Sequence, residues 1–418
     1  MTLVDFFGPT RSGTAARLDS AVWPAGARYD AEGRIVLGGV ALSDVAEAFG
    51  TPARVLDERE VRQRCRAYRR TFAEAEIAYA AMALPVAAVA SWITDEGLSV
   101  VARSSGELTA MLDAGVDPKR IILHAKDLPR ETLANAVARQ VGRIVVGSPA
   151  EIDLLAAVAT RPQRVLLRVS PGIEHDLPHG VPVGFPLGDA TATAIARVLG
   201  APMLELTGLH CHLGSQIYNP DHYGEAIRRM VAEMAQARHD HDCLLTDLDL
   251  GGGHAIAYRT GDAEMNLAEL SAIIEDALDA ACARQHFPRP RVVLEPGRGI
   301  VARAGVTLYR VLSVKHGDGG SVCVVIDSAT GTFAGAVVAN RRAGGPLVTA
   351  TVAGRAGDVI LATDVRLPAD LRPGELLAVP CSGAYQHASP RTRVIAVREG
   401  HYAQLVRREP DLLDRDAS

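Results

Sequence analysis

The stretch "LTGLHCHLGS", residues 206–215, decides the fold: it is an apolar run of strand length that ends in histidines, glycine and serine. Seven more runs of this kind lie in the chain, namely "EIAYAAMA" (76–83), "LSVVARS" (98–104), "RIILHAK" (120–126), "RIVVGS" (143–148), "RVLLRVS" (164–170), "LDLGGG" (248–253) and "VVLEPGR" (292–298). Near-continuous apolar runs are typical of strands buried on both faces of a parallel sheet. Helix-like segments such as "SPAEIDLLAAVA" (148–159) separate them.

Eight strand–helix units predict an α/β fold, a (β/α)₈ TIM-type barrel over residues 50–305. A doubly wound open sheet is the alternative. After residue 305 the pattern changes to short strand-like pieces between glycine and proline turns, which predicts an all-β barrel or sandwich domain. This β domain is assigned residues 1–49 plus 306–418, because "RIVLGGVAL" (34–42) also has the composition of a strand.

Composition limits the classes of partner. The 418 residues carry a net charge of −5, which gives no reason to expect nucleic acid or an anionic membrane. No apolar run is long enough to span a bilayer, and the first residues lack the pattern of a secretory signal. Six cysteines without CxxC spacing indicate reduced thiols in the cytoplasm and no metal site.

Four segments place polar groups where strands or turns end. They are "HCHLGSQ" (210–216), "LDLGGGHAIAY" (248–258), "LEPGRGIVARAG" (294–305) and "CSGAYQHAS" (381–389). A triple glycine frees backbone N–H groups to face an anion, but it is more often simply a tight turn. A histidine at a strand end is likewise more often structural. The four segments in this order carry much more information than any one of them alone.

Together these segments resemble the fold-type III pyridoxal 5′-phosphate (PLP) decarboxylases, specifically the diaminopimelate decarboxylase family. The resemblance extends over nearly the whole chain and implies a barrel followed by a β domain, assembled as a homodimer. It also implies that His212 covers the cofactor ring, that Glu295 pairs with the ring nitrogen and that Tyr385 faces the cofactor. The implied phosphate-binding residues are Ser215, Gly251, Gly252, Gly253 and Arg298.

The chain departs from the family where the family binds PLP covalently. The family has a tyrosine–alanine–x–lysine–alanine motif whose lysine forms the Schiff base, whereas this chain has Met82 at that position. A thioether has no nucleophilic amine. Val101 stands at the position of an aspartate, and Gly354 at the position of a catalytic cysteine. Because several positions changed together, natural divergence explains them better than a single engineered inactivation.

Only three of the 44 basic residues are lysines, so a replacement for the missing amine is easy to search for. Lys119 precedes the third strand and Lys315 lies in the β domain. Lys126, in "ILHAKDL", is the one lysine at a strand end on the predicted site face, so it is the only surrogate. The alternative for Lys126 is a solvent-facing or salt-bridged side chain near Asp127.

The resulting hypothesis is a repurposed lyase, isomerase or cyclase that holds PLP without a covalent bond, or uses no cofactor. His212, Glu295 and Tyr385 are its candidate catalytic residues. Arg103, Arg355 and Gln216 are candidate substrate-binding residues, suited to a small molecule that bears a carboxylate or phosphate. The alternatives are a non-catalytic homologue with a binding or regulatory role, and an amino-acid decarboxylase inactivated by a Lys-to-Met change at position 82.

Overall fold

The computed structural model describes residues 18–173, 183–317, 320–330, 333, 335–357, 359–385 and 392–406. The two ends assigned to the β domain, residues 1–17 and 407–418, lie outside the described residues. Two short 3₁₀ helices occur in the described part, at Ala81–Ala83 and Pro118–Arg120.

The described strands are, in chain order, β1 (Arg28–Tyr29), β2 (Ile35–Leu37), β3 (Val40–Ala41), β4 (Ala53–Asp57), β5 (Glu76–Ala80), β6 (Ser99–Ala102), β7 (Ile121–His124), β8 (Arg143–Val146), β9 (Gln163–Ser170), β10 (Phe185–Pro186), β11 (Leu204–His210), β12 (Asp247–Asp249), β13 (Arg291–Leu294), β14 (Gly305–His316), β15 (Val322–Ile326), β16 (Val337–Val338), β17 (Leu347–Ala353), β18 (Ile360–Pro368), β19 (Leu376–Val379), β20 (Arg393–Arg398) and β21 (His401–Val406). The described α-helices are α1 (Leu42–Phe49), α2 (Glu58–Thr71), α3 (Ala87–Asp95), α4 (Ser105–Asp113), α5 (Arg130–Ala138), α6 (Pro149–Val158), α7 (Asp189–Leu199), α8 (Asp221–His241), α9 (Leu267–Gln285) and α10 (Arg298–Val301).

Eight parallel strands close into a barrel. Their order is β9-β11-β12-β13-β5-β6-β7-β8, and β8 pairs with β9 to complete the ring. All eight apolar runs predicted from the sequence are strands of this barrel, and the closure excludes a doubly wound open sheet. The TIM-type barrel followed by an all-β domain is therefore confirmed.

The interior of the barrel is layered. At the N-terminal end of the strands, Glu76 accepts hydrogen bonds from Ser99 and Arg143. Above this polar layer lies an apolar one, formed by Ala78, Val101, Ile122, Val145, Leu166 and Val293. Charged side chains return in the next layer, at the C-terminal ends of the strands. Functional groups of such barrels are built at that face.

Side-chain caps start several barrel helices directly after a strand. Asp57 accepts from the backbone N–H groups at the start of α2, and Ser104 and Ser148 cap α4 and α6. Pro149 follows Ser148 at the first position of α6. Within the described residues, no helix combines the length and the apolar composition that crossing a bilayer requires.

The second large sheet has the order β18-β17-β15-β14-β4-β20-β21 and forms the β domain. Strand β4 lies between β14 and β20 in this sheet, so Ala53–Asp57 is not part of the barrel. The predicted barrel boundary at residue 50 is therefore too early, and the barrel proper starts after β4. A short buried run pairs equally well in either sheet, so its sequence could not reveal which sheet it joins.

The predicted strand near residue 34 forms a sheet of its own. β1, β2 and β3 pair with one another. Their contacts with the β domain include two backbone hydrogen bonds, from the N–H of Ile35 to the carbonyl of Ala339 and from the N–H of Gly400 to that of Gly38. The segment thus packs on the β domain without extending its main sheet.

Candidate functional site

The C-terminal ends of the barrel strands surround a cavity of about 220 Å³, called the barrel cavity below. Its wall contains most of the residues predicted for a cofactor pocket, namely His212, Ser215, Gly252, Gly253, Glu295, Arg298 and Tyr385. Met82 and Arg103 line the same cavity. Three further side chains of the wall, those of His124, Arg168 and His254, were not among the predicted site residues.

Glu295 stands at the end of β13 with two imidazoles beside its carboxylate. Nε2 of His124 donates to Oε1 of Glu295 at 3.1 Å, and Nε2 of His210 lies 3.7 Å from Oε2. Burial alone would raise the pKa of Glu295, but the two imidazoles hold it well below its usual value. Burial lowers the pKa of His210 to about 3, so that ring is neutral. Glu295 is therefore a buried anion facing the cavity.

A second carboxyl group, Asp249, lies just below this cluster. Its Oδ1 accepts from the N–H of Gly251 at 2.9 Å. Burial raises the pKa of Asp249 well above its usual value, and the negative charge of Glu295 adds to the effect. Two acidic groups in one buried environment therefore differ in charge, because only Glu295 has imidazole partners.

His212 lies in the loop after β11 and is half-buried in the cavity wall. Desolvation lowers its pKa to about 4, and the positive charge of Arg168 contributes. The ring is consequently neutral at pH 7. A neutral imidazole can accept a proton, so the protonation state of His212 favours a base over an acid at this position.

The glycine loop after β12 packs against neighbouring backbone. A Cβ on Gly252 would lie 2.1 Å from the carbonyl oxygen of Glu295, and one on Gly253 would lie 2.2 Å from that of Gly214. Gly253 also has φ of +98°, which side-chain-bearing residues rarely adopt. Gly251 has φ of +67° and accepts from the N–H of Glu295 at 2.7 Å. These glycines are required for packing whether or not the loop holds a phosphate.

Arg298 connects the barrel to the β domain. Its guanidinium donates to Ser215 Oγ and, at 3.3 Å, to the hydroxyl of Tyr258. It also lies over the ring of Tyr385, 4.9 Å from the ring centroid. The backbone N–H of Tyr385 donates to the carbonyl of Ala83 at 2.8 Å. The predicted Ser215–Arg298 end of the pocket is thus assembled with Tyr385 beside it.

Met82 lies in the 3₁₀ turn after β5, with its side chain in the cavity wall. Nη1 of Arg103 donates to its sulfur at 2.9 Å. Position 82 therefore presents a thioether in contact with a guanidinium, and no amine. Arg103 follows β6, where the sequence analysis placed it as a substrate-binding residue.

Arg168 and His254 enlarge the predicted site. Arg168 is 6% exposed, and its Nε donates to the carbonyl of Val183 at 3.2 Å. His254 follows the glycine loop, and its Nδ1 lies 3.0 Å from the hydroxyl of Tyr68. Both residues carried a signal in the sequence, since Arg168 interrupts an apolar run at a strand end and His254 directly follows the triple glycine.

The remaining predicted residues lie outside the cavity wall. Lys126 is exposed and lines a second pocket of about 350 Å³, called the outer pocket, which shares Arg103 and His124 with the barrel cavity. Lys119 lies before β7, at the opposite end of the barrel. Gln216 uses its amide to bind both backbone groups of Ile256.

Three further predicted positions, Val101, Gly354 and Arg355, also lie outside the wall of the barrel cavity. Val101 belongs to the apolar layer of the barrel and is 1% exposed. Gly354 lies in a turn of the β domain and donates to the carbonyl of Val359. Its neighbour Arg355 is exposed on the same turn. In this chain, neither Gly354 nor Arg355 lines the barrel cavity.

His124, His210 and Glu295 also have the donor types of a metal site, and their ligand atoms lie within 4.8 Å of one another. The 3.1 Å hydrogen bond from His124 already occupies one oxygen of Glu295. We therefore assign the cluster to holding the Glu295 charge. The expectation that the chain holds no metal stays a prediction.

Comparison with known proteins agrees with this geometry. Residues 58–302 match the pyridoxal-dependent decarboxylase family through its pyridoxal-binding domain. The chain belongs to this family. It is 42% identical to a diaminopimelate decarboxylase of Actinosynnema pretiosum subsp. auranticum, over 100% of both chains. It is 32% identical to that of Mycobacterium tuberculosis, over 93% of this chain and 95% of the relative.

The family fold is also found among solved structures. A protein of Aquifex aeolicus superposes with a TM-score of 0.81 at 26% identity, over 92% of this chain and 95% of its own. The diaminopimelate decarboxylase of Helicobacter pylori in complex with L-lysine superposes with a TM-score of 0.77 at 22% identity, over 90% of this chain and 100% of its own. The second likeness shows the fold alone.

The residues of this family member fit PLP except at one position. Glu295 is an anion suited to a protonated ring nitrogen, His212 presents a neutral ring, and Ser215 and Arg298 suit a phosphate. Nε2 of His254 is buried and has no hydrogen-bond partner among the described residues. Met82 does not fit, because it offers nothing for covalent attachment.

Proposed function

We propose that this decarboxylase homologue is an enzyme that holds PLP, or a similar phosphorylated ring, without a covalent bond to the chain. The observation that carries the proposal is the 2.9 Å contact between Arg103 and Met82 in the same cavity wall as the hydrogen-bonded Glu295–His124 pair. PLP supplies an electron sink in its family's reactions. In this chain Glu295, Ser215 and Arg298 would hold the group.

The chain's own residues supply acid–base chemistry. His212 is neutral at pH 7 and faces the cavity, so it is the candidate base. Tyr385 lies at the cavity edge and is the candidate proton donor. Such a pair suits proton transfer in a lyase, isomerase or cyclase acting on a small acid. We also propose a homodimer in the cytoplasm, the latter supported by six cysteines that are all free thiols.

The test of cofactor binding is a PLP titration followed by absorption, then borohydride reduction and intact-mass measurement. We expect saturable binding to the wild type with no increase in mass after reduction. The matched variant Met82→Lys should gain the mass of the reduced adduct, because it restores an amine at the cavity wall. Lys126→Met should behave as the wild type, since Lys126 lines the outer pocket.

Two outcomes would contradict the proposal. A reduced adduct on the wild type that disappears in Lys126→Met would show that Lys126 replaces the missing lysine. Absence of saturable binding would favour the non-catalytic homologue. With PLP present, we expect no release of CO₂ from diaminopimelate by the wild type, and rapid release would instead indicate the family's ordinary activity.

A further inference from the structure

The wall of the barrel cavity carries an excess of positive charge. Three guanidinium groups line it, those of Arg103, Arg168 and Arg298, against the single carboxylate of Glu295. Among the described residues, neither Arg103 nor Arg168 forms an ion pair with a carboxylate. Glu295 is already engaged by His124. The cavity therefore suits a ligand that brings negative charge of its own.

Arg103 has a poor partner inside the protein. Its Nη1 donates to a thioether sulfur, which is a weak acceptor. The side chain is half-buried and lines both the barrel cavity and the outer pocket. A guanidinium that gives up hydration for a weak acceptor gains free energy when a carboxylate replaces that acceptor, because two parallel charge-assisted hydrogen bonds can form.

Arg168 faces the same space from the C-terminal end of β9. It is more than nine-tenths buried, and Val183 supplies its one hydrogen-bond acceptor among the described residues. Burial lowers the pKa of Arg168, and the positive charge of Arg103 lowers it further. The two guanidinium groups thus repel each other across the cavity, and an anion between them would relieve that repulsion.

We infer that Arg103 and Arg168 together form a binding site for a carboxylate of the substrate, beside the position of the family's lysine. The substrate class is therefore an acid that is held by its carboxylate and needs no amine. The outer pocket, with Lys126 in its wall, gives the rest of the acid room to extend. This inference rests on the proposed function in treating the barrel cavity as the ligand site.

The experiment uses three probes with the same five-methylene chain, namely cadaverine, 6-aminohexanoate and pimelate. Their affinities are measured by isothermal titration calorimetry on the full chain, with and without saturating PLP. We expect both acids to bind at least about tenfold more tightly than cadaverine, as one charge-assisted hydrogen-bonded contact allows. Binding of pimelate should survive an equal concentration of inorganic phosphate.

Variants separate the arginine pair from general charge. Arg103→Met should weaken both acids about tenfold or more and leave cadaverine unchanged, whereas Arg103→Lys should recover part of the loss. Arg168→Lys should also weaken the acids, which keeps the test valid should Arg103→Met fail to fold. The control Arg228→Met removes an exposed guanidinium of α8 and should change nothing.

The outcomes distinguish this inference from the proposed function. Equal affinity for acids and cadaverine, unchanged acid binding in Arg103→Met, or full displacement of pimelate by phosphate would each overturn the carboxylate site. If PLP binds non-covalently in those cases, the proposed function still stands. If PLP does not bind but Arg103-dependent acid binding is found, the carboxylate site stands and the proposed function fails.

Discussion

The two sides of the barrel cavity differ in chemistry and in how their residues are held. One side, called the retained side, consists of Glu295, His212 and the glycine loop at 251–253, which we interpret as the residue types expected of a PLP pocket. The other, called the rebuilt side, consists of Met82 and Arg103, which we interpret as departures from the family, and Val101 lies in the apolar layer below it. Both sides belong to one closed barrel, so the barrel fold alone does not determine which side chains line them.

The difference has a physical cause. Residues of the retained side are tied into the backbone, since Gly252 packs at the carbonyl of Glu295 and the N–H of Glu295 donates to Gly251. Any larger residue there would displace a strand end. Residues of the rebuilt side contribute only side chains, and Arg103 and Met82 could change together while the strands stayed in place. The glycine loop is therefore weaker evidence for a bound cofactor than the Glu295–His124 pair is.

The largest effect is expected from placing an acidic side chain in the apolar layer below the rebuilt side. Val101→Asp places a carboxylate in the apolar layer of the barrel, and we expect the free energy of unfolding to fall by about 3 kcal/mol. Urea unfolding followed by circular dichroism measures the change. Val101→Thr, which replaces one methyl group by an uncharged hydroxyl, should cost less. A loss below about 1 kcal/mol for Val101→Asp would mean that Arg103 or Arg168 reaches the new carboxylate.

The retained side is tested by removing its charge. Glu295→Gln keeps the shape of the side chain but not the anion, and we expect affinity for PLP to fall about tenfold to a hundredfold, as for loss of a charged hydrogen bond. An absorption titration of PLP measures it. The matched control is the exposed Glu275→Gln, which should bind PLP as the wild type does. Equal affinity in Glu295→Gln would show that this carboxylate does not contact the ligand.

Next to the retained side, His254 should give the smallest effect near neutral pH, a difference in acid sensitivity. Burial lowers the pKa of His254 from 6.5 to about 4. Between these pH values His254 is protonated in the unfolded chain and neutral in the folded chain. The stabilisation is present above pH 6.5 and is lost as the pH falls towards 4. Relative to His254→Gln, the wild type should lose about 1.4 kcal/mol of unfolding free energy per pH unit in that window.

Urea unfolding of both proteins at pH values between 4 and 7 measures this difference. His210 and His212 also have lowered pKa values and contribute to the pH dependence of the unfolding free energy. Their contributions are the same in the wild type and in His254→Gln, so the difference between the two proteins reports on His254 alone. Parallel curves for wild type and His254→Gln would show that His254 titrates normally in the folded chain.

The barrel strands and most residues of the cavity wall could be predicted from the sequence. Eight apolar runs gave the barrel strands, because strands buried on both faces leave a local signal that needs no tertiary information. The predicted pocket residues from His212 to Arg298 converge because the C-terminal ends of parallel strands meet at one face, whereas Tyr385 reaches the cavity from the β domain. By contrast, the sheet that β4 joins, and the separate sheet of β1–β3, depend on pairing partners far away in the chain.

The sequence alone determined the family and the absence of an amine at position 82, because both depend only on which residue types occur in which order. Only the tertiary structure decided what took the place of that amine. Arg103 and Met82 are 21 residues apart, and Arg168 comes from yet another strand. Their meeting depends on strand closure and side-chain direction, neither of which is encoded in a local pattern. The charge balance of the cavity, and hence the kind of ligand it suits, follows from that meeting.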